Sequence, residues 1–315
     1  MRSAAGSLEA DSAYFELHIT AAQIRNIYNL YHALALMVYE AEISRTNPSL
    51  ILFLIDQSRS MSHKLPGGER SKAQEASDAI NRQIGDFVLR CTKSDGIRDY
   101  FHLGVIGYGY VTGKAGSILK GDLIHPISEL AGTPLRTEKR KMKVSDGSGG
   151  DIDVDYDFGV WFDPVANGDT PMCKALSIAR DAIKDWVEEH PSSYPPILIN
   201  ITDGQATDGN PEDVIKEILD LKTSDGDPLI WNCHLSSNPS TPVSFPSEES
   251  ELPNDKYAIS LFNVSSILPL QYVGYAREMQ IDLKDNARAY VFNAQLEQLV
   301  EFIDIGTRGP QGQMQ

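Results

Sequence analysis

The chain has 315 residues, 41% of them hydrophobic, and a formal net charge of -16. That length and apolar content can build one large α/β domain or, equally, two small ones, and exclude a disordered protein. The charge argues against long-range capture of nucleic-acid phosphates or of an anionic membrane, and favours cations or cationic partners.

The N-terminus lacks the basic start and apolar core of a signal peptide. The stretch Ile24 to Ile43 contains Arg25, Asn26, Asn29, His32, Glu40 and Glu42, which is too polar to cross a bilayer, so no membrane partner is expected. Its apolar residues Ile24, Ile27, Tyr28, Tyr31, Leu34 and Val38 recur at helical spacing and predict an amphipathic helix that docks on the main domain or in a partner's groove. Asn47-Pro48 breaks it.

From Leu50 onward strands and helices alternate. Leu50 to Ile55 is an unbroken apolar run, as a strand buried on both faces requires. A helix is predicted over about 69–91, with Ala73, Ala76, Ile80, Ile84, Phe87 and Val88 on one face, followed by a strand over 101–109. Pro171 opens a further helix striped by Met172, Leu176, Ala179, Ile183 and Val187. A strand over 196–202, a helix over about 211–222, strands over 229–235 and 287–293 and a last helix with Leu296, Leu299, Val300 and Ile303 complete the series. Such alternation implies a doubly wound, mostly parallel central sheet flanked by helices, preceded by the helical extension.

The domain expectation is an N-terminal helical extension over 1–47, the α/β domain over 48–305 and a disordered tail over 306–315. Two segments interrupt the alternation. Residues at about 110–165 read as a long hairpin insertion with a mobile tip, holding the basic run KRKMK and then DIDVDYDF; residues 236–255, rich in Pro and Ser, read as a surface loop.

In an open α/β sheet, ligands bind at the carboxyl ends of the strands where the strand order reverses. The segment LILFLIDQSRSMS places Asp56, Ser58 and Ser60 at such an end, one carboxylate and two hydroxyls at alternate positions. Thr170, in NGDTPM before a helix, and Asp203, at the end of ILINIT, lie at two more. Oxygen-only ligands of modest charge suit a hard divalent cation, Mg²⁺ first.

With those five residues in order, the chain resembles the von Willebrand factor A (VWA) domain and its metal-ion-dependent adhesion site, whose pattern is Asp-x-Ser-x-Ser, then a Thr, then an Asp. The flanking text DQSRSMS, GDTPMCKAL and ITDGQATDG is most similar to intracellular bacterial members of the tellurium-resistance-associated type. The resemblance spans about 49–305 and implies a VWA fold with a site for Mg²⁺, or for Mn²⁺ or Ca²⁺. It implies that Ser58 and Ser60 bind the cation directly, that Asp56, Thr170 and Asp203 do so directly or through water, and that one position stays open for an Asp or Glu of a partner protein. It implies a cytoplasmic bacterial protein acting in a multi-protein stress-response or defence system, beside a partner such as an AAA+ ATPase, kinase or phosphatase. The residues next to the metal positions, Arg59, Asp169 and Gln205, are the candidate partner contacts. Arg59 stands where many bacterial members have Gly; its guanidinium either clamps a carboxylate or lies across the surface.

A metal-dependent hydrolase using Asp56 and Asp203 is the competing expectation. It is disfavoured because Ser58 occupies the place where a strand-end phosphoryl-transfer site carries its second acid, and no GxSxG elbow is present. RNA binding is disfavoured by the charge. Asp151, Asp153 and Asp155 have calcium-loop spacing, but Tyr156 stands where that loop needs Gly, and their alternation with Ile152, Val154 and Tyr156 reads as an edge strand. The three cysteines, Cys91, Cys173 and Cys233, have no metal spacing and read as reduced core thiols.

Overall fold

The structure, a computed structural model, describes residues 39–147, 149–237, 241–284 and 286–308. The helix predicted over Ile24 to Val38 and the tail from 309 lie outside these residues. The strands are β1 (Ser49–Asp56), β2 (Thr92–Lys93), β3 (Gly96–Ile97), β4 (Phe101–Tyr108), β5 (Ala115–Ser117), β6 (His125–Pro126), β7 (Arg136–Ser145), β8 (Asp151–Val160), β9 (Ile197–Thr202), β10 (Leu229–Leu235), β11 (Val243–Ser244) and β12 (Tyr290–Ala294). The helices are α1 (Lys72–Cys91), α2 (Ile127–Gly132), α3 (Met172–Glu189), α4 (Pro211–Leu219), α5 (Lys256–Val264), α6 (Leu270–Glu278) and α7 (Leu296–Arg308).

The main sheet runs in the order β11-β12-β10-β9-β1-β4-β5, with β6 on β4. Its five inner strands are parallel and β11, β5 and β6 are antiparallel at the margins. The doubly wound sheet expected from the alternation is therefore the one found. All eight residues of β1 are buried because it faces helices on both sides. Ile51, Phe53 and Ile55 pack with Ala76, Ile80, Ile84 and Phe87 of α1 and with Leu299 and Phe302 of α7. The alternate residues Leu50, Leu52 and Leu54 pack with Met172, Leu176 and Ile183 of α3 and with Ile215 and Ile218 of α4. From β1 the chain passes to β4 on one side and later to β9 on the other, so the strand order reverses around β1. The crevice at the carboxyl end of β1 is thereby the place where loops from both sides meet.

Several boundaries move for identifiable reasons. Residues 39–47 belong to the packing of the main domain, since Tyr39 and Ile43 are buried in its core and the Tyr39 ring meets Tyr194 edge-on at 5.2 Å. Gly306 and Thr307 were expected in the tail; they form the last turn of α7, because both are buried and the Thr307 hydroxyl donates to the Ile303 carbonyl at 2.8 Å. The expected loop over 236–255 carries β11 and a short 3₁₀ turn, Glu249–Glu251, and the unassigned stretch after it forms α5 and α6.

The insertion at 110–165 is not one hairpin. It contains β5, β6 and α2 before a separate two-stranded ribbon, β7 with β8. Lys139, Lys141 and Lys143 stand opposite Asp157, Asp155 and Asp153, so the basic and acidic runs pair across one face of the ribbon. The other face sets Met142 and Val144 against Val154 and Ile152, all exposed. The ribbon's root is held on α1: Arg140 reaches both oxygens of Asp78 at 2.7 and 3.3 Å and lies over the Phe158 ring, while Asn81 accepts from the Trp161 amide and donates to the Phe162 carbonyl.

Candidate metal centre

Asp56 closes β1 level with Tyr108 of β4, and the chain then leaves the sheet. Gln57 still donates to the Tyr108 carbonyl, but its own carbonyl accepts from Asn167, and the Arg59 amide donates to the Gly168 carbonyl. Residues 167–169 are thus woven between the loop after β1 and the loop after β4, where the Gly168 amide donates to Gly109. Only glycine allows this approach. Gly109 has φ +91°, and a Cβ there would stand 2.1 Å from the Asp169 carbonyl oxygen and 3.1 Å from the Ser58 amide.

This weave links four of the five predicted oxygen donors, Asp56, Ser58, Ser60 and Asp203, through short hydrogen bonds and sets Thr170 beside Gly204. Asp56 is fully buried; its Oδ1 accepts from the Ser58 amide and its Oδ2 from the Thr202 hydroxyl, each at 2.8 Å. After Ser58 the chain tightens into a 3₁₀ turn, Arg59–Ser62, instead of staying extended, and that turn brings the Ser58 and Ser60 hydroxyl oxygens to 3.0 Å. Ser60 donates to Asp203 Oδ1 at 2.7 Å across a separation of 143 residues. The Thr170 hydroxyl makes no hydrogen bond among the described residues and its side chain faces Gly204, next to Asp203.

The electrostatics follow from burial. Desolvation first, and the nearby Asp203 carboxylate second, push the Asp56 carboxyl up to about 6. Asp203 is balanced by a residue that the sequence reading passed over: the Lys72 ammonium lies 2.6 Å from Asp203 Oδ2, with both side chains out of solvent. The ammonium lies off the direction of a good hydrogen bond, since Oδ2 counts among the buried oxygens without such a partner; the contact is an ion pair.

The three candidate partner contacts occupy different settings. Arg59 is exposed, with no ion pair among the described residues. Asp169 is half-buried and its Oδ1 accepts from the Gly113 amide at 2.8 Å, fastening the loop after β4. Gln205 is exposed beside a cleft of about 210 Å³ that Tyr257 and Ser260 also line. Asp208 was not singled out in the sequence, yet it caps α3 by accepting from the Cys173 and Lys174 amides, and Thr207 pairs with the backbone of Thr170. The signal was present in TDG, an acid before a turn, but nothing local says which helix it caps.

The donor set fits a hard divalent cation. Adjacent ligands of an octahedral Mg²⁺ bound at 2.0–2.1 Å are about 3.0 Å apart, which is the separation of the two serine oxygens. With their protons directed to Asp203 or to each other, both oxygens keep lone pairs for a cation. A cavity of about 370 Å³ opens beside Ser60, Lys72 and Asp203, lined also by His234, which burial lowers to about 4 and keeps neutral. The larger cavity of about 540 Å³ lies by His102, at the opposite end of β4, and none of these oxygens lines it.

Fold and site together define an α/β protein with a convergent oxygen-donor centre at the reversal of its strand order. No family model and no curated protein matches the chain. Among solved structures it is similar to the manganese-loaded TRAP protein of Plasmodium vivax, at 15% identity over 62% of this chain and 61% of that one, TM-score 0.32. It is similar also to the pilus adhesin SpaC of Lactobacillus rhamnosus GG, at 11% identity over 86% of this chain and 32% of that one, TM-score 0.45. A third is the PilB minor pilin of Streptococcus sanguinis, at 13% identity over 85% and 62%, TM-score 0.37. The chain spans less than two thirds of each of these structures. Among the described residues no helix is long and apolar enough to cross a membrane, and all three cysteines are free thiols.

Proposed function

We propose that the chain is a VWA-type binding module: Asp56, Ser58, Ser60, Thr170 and Asp203 hold one divalent cation, Mg²⁺ or Mn²⁺, and an open coordination position takes an Asp or Glu of a partner protein. The observation that carries the reading is the serine pair at 3.0 Å with Asp203 directly behind it. When bound, the cation supplies a Lewis-acidic point for a carboxylate. The chain's own residues position it: Asp56 anchors the turn through the Ser58 amide, Thr202 fixes the Asp56 carboxylate, and the glycines at 109 and 168 bring Thr170 close.

A binding role suits this site better than hydrolysis. Asp56 is fully buried with both oxygens accepting hydrogen bonds, so neither is free to attack a substrate. Burial and the Asp208 carboxylate push the Cys173 thiol up to about 12, which disfavours it as a nucleophile. The exposed Arg59 is available to hold the incoming carboxylate bidentately. The sequence resemblance is what supports reading the module as a bacterial cytoplasmic component of a stress-response or defence assembly, with an AAA+ ATPase, kinase or phosphatase as its partner, and the free thiols are compatible with that reading.

Calorimetric titration tests the reading. Wild type should bind one Mg²⁺ or Mn²⁺ and prefer either to Zn²⁺, and Asp56→Asn should bind none while staying folded. Partner capture should vanish in EDTA, survive moderate salt and weaken about fivefold on Arg59→Gly, the scale of one ordinary hydrogen bond at an exposed position. Capture undiminished by EDTA would exclude the metal face as the interface.

A further inference from the structure

Of the two acids at the centre, Asp56 accepts hydrogen bonds from a backbone amide and a hydroxyl, whereas Asp203 faces a cation of the chain itself. Lys72 is the first residue of α1, and its place is fixed locally. Its amide donates to the His63 carbonyl at 2.8 Å, folding the 63–71 loop back, and the preceding Ser71 forms a capping box with Gln74. Those contacts start α1 at Lys72 and aim its side chain into the domain, where it is 4% exposed against a fully buried Asp203 side chain. A buried ammonium persists only where it is paired, and Asp203 at 2.6 Å is the carboxylate that pairs it. Two carboxylates and one ammonium then leave the centre with one negative charge instead of two.

On the reading of this site as a metal centre, we propose that Lys72 is its built-in counter-ion. It holds Asp203 in place in the metal-free protein and, by cancelling one of the two negative charges, sets divalent-cation affinity below what the five oxygens alone would give. The bound cation correspondingly keeps an uncompensated positive charge toward an external carboxylate. A purely structural ion pair makes the opposite prediction, since its loss would loosen Asp203 and weaken cation binding.

The test is calorimetric titration of Mn²⁺ into the full chain and into Lys72→Met, Lys72→Gln and Asp56→Asn, with thermal melts in EDTA and in Mn²⁺. Repulsion between a single and a double positive charge at roughly 5 Å, even at the dielectric constant of water, corresponds to about a tenfold change or more in affinity. Lys72→Met and Lys72→Gln should therefore bind Mn²⁺ at least about tenfold more tightly than wild type, melt lower in EDTA, and gain more from Mn²⁺ than wild type gains. Lys72→Gln keeps a polar group at Asp203 Oδ2 and carries the test should Lys72→Met fail to fold. Unchanged or weaker Mn²⁺ affinity in the folded lysine variants, with wild type binding and Asp56→Asn not, overturns the counter-ion role and leaves the metal centre standing. Absence of Mn²⁺ binding by wild type, or equal binding by Asp56→Asn, overturns both.

Discussion

Asp56 at the end of β1 and Thr202 at the end of β9 are joined by a 2.8 Å hydrogen bond from the threonine hydroxyl to Oδ2, made where neither side chain meets solvent. That bond stabilises the charged carboxylate, but burial and Asp203 outweigh it and leave the carboxyl near 6.

The sign of the resulting pH dependence is definite. The folded value, about 6, lies above the ordinary 3.8, so folding favours the neutral acid. The stability contributed by Asp56 is complete below about pH 4 and is lost as pH rises through 6, a change of about 3 kcal/mol. Denaturant melts in EDTA between pH 4 and 8 should show wild type losing stability relative to Asp56→Asn over that window. Parallel curves for the two proteins would contradict the assignment, and Mg²⁺ should remove the loss at neutral pH.

Gly109→Ala should damage the site and the fold together. The substitution forces a side chain into φ +91° and onto the Asp169 carbonyl, so a cost of at least about 2 kcal/mol is expected. Thr170 follows Asp169, so cation affinity should fall as well. A variant with wild-type stability would show that the 167–169 segment yields easily.

Beneath the centre runs a buried polar chain: Tyr108 donates to Asn200, Asn200 to Asn232, and Asn232 to Ser265. Asn200→Leu leaves the tyrosine hydroxyl and the Asn232 carbonyl without partners, at a cost of about 2–4 kcal/mol by chemical denaturation. Asn200→Leu with Tyr108→Phe should cost less than the sum of the single changes, because the tyrosine donor is then gone.

Asp208→Ala should uncap α3. Two amide donors, those of Cys173 and Lys174, lose their acceptor, and the favourable charge at the helix N-terminus goes with it, about 1–2 kcal/mol in all. Because Thr170 lies just before α3, Mn²⁺ affinity should fall by severalfold while Asp208→Asn retains most of it. An affinity unchanged in Asp208→Ala would mean that Thr170 is held by Thr207 alone.

The apolar run Leu50 to Ile55 declares a strand covered on both sides, and the stripes Ala73 to Phe87 and Met172 to Ile183 declare the helices that cover it, because amphipathic periodicity is written in residues a turn or a pleat apart. The placement of Asp56, Ser58, Ser60, Thr170 and Asp203 was legible for a related reason: they lie at or just beyond strand ends or just before a helix, and an alternating α/β chain puts those loops on one side of the sheet, whereas their assignment as a donor set came from the resemblance. Helices α5 and α6 escaped detection, being nine residues each and set among prolines and serines that blur their stripes.

The sequence by itself determined the order of strands and helices and which edge of the sheet would carry the loops of Asp56, Thr170 and Asp203, since both follow from local pattern and from the handedness of strand crossovers. Only the tertiary structure decided that Lys72 would neutralise Asp203, that Asp208 would hold α3, and that the basic strand β7 would pair residue for residue with the acidic β8. A lysine at the start of a helix looks like any solvated charge until the loop before it is fixed, and a carboxylate 131 positions away comes within 2.6 Å only once β1 and β9 have taken their register. Long-range pairing of that kind is set by the packing of the whole sheet, and no window of neighbouring residues encodes it.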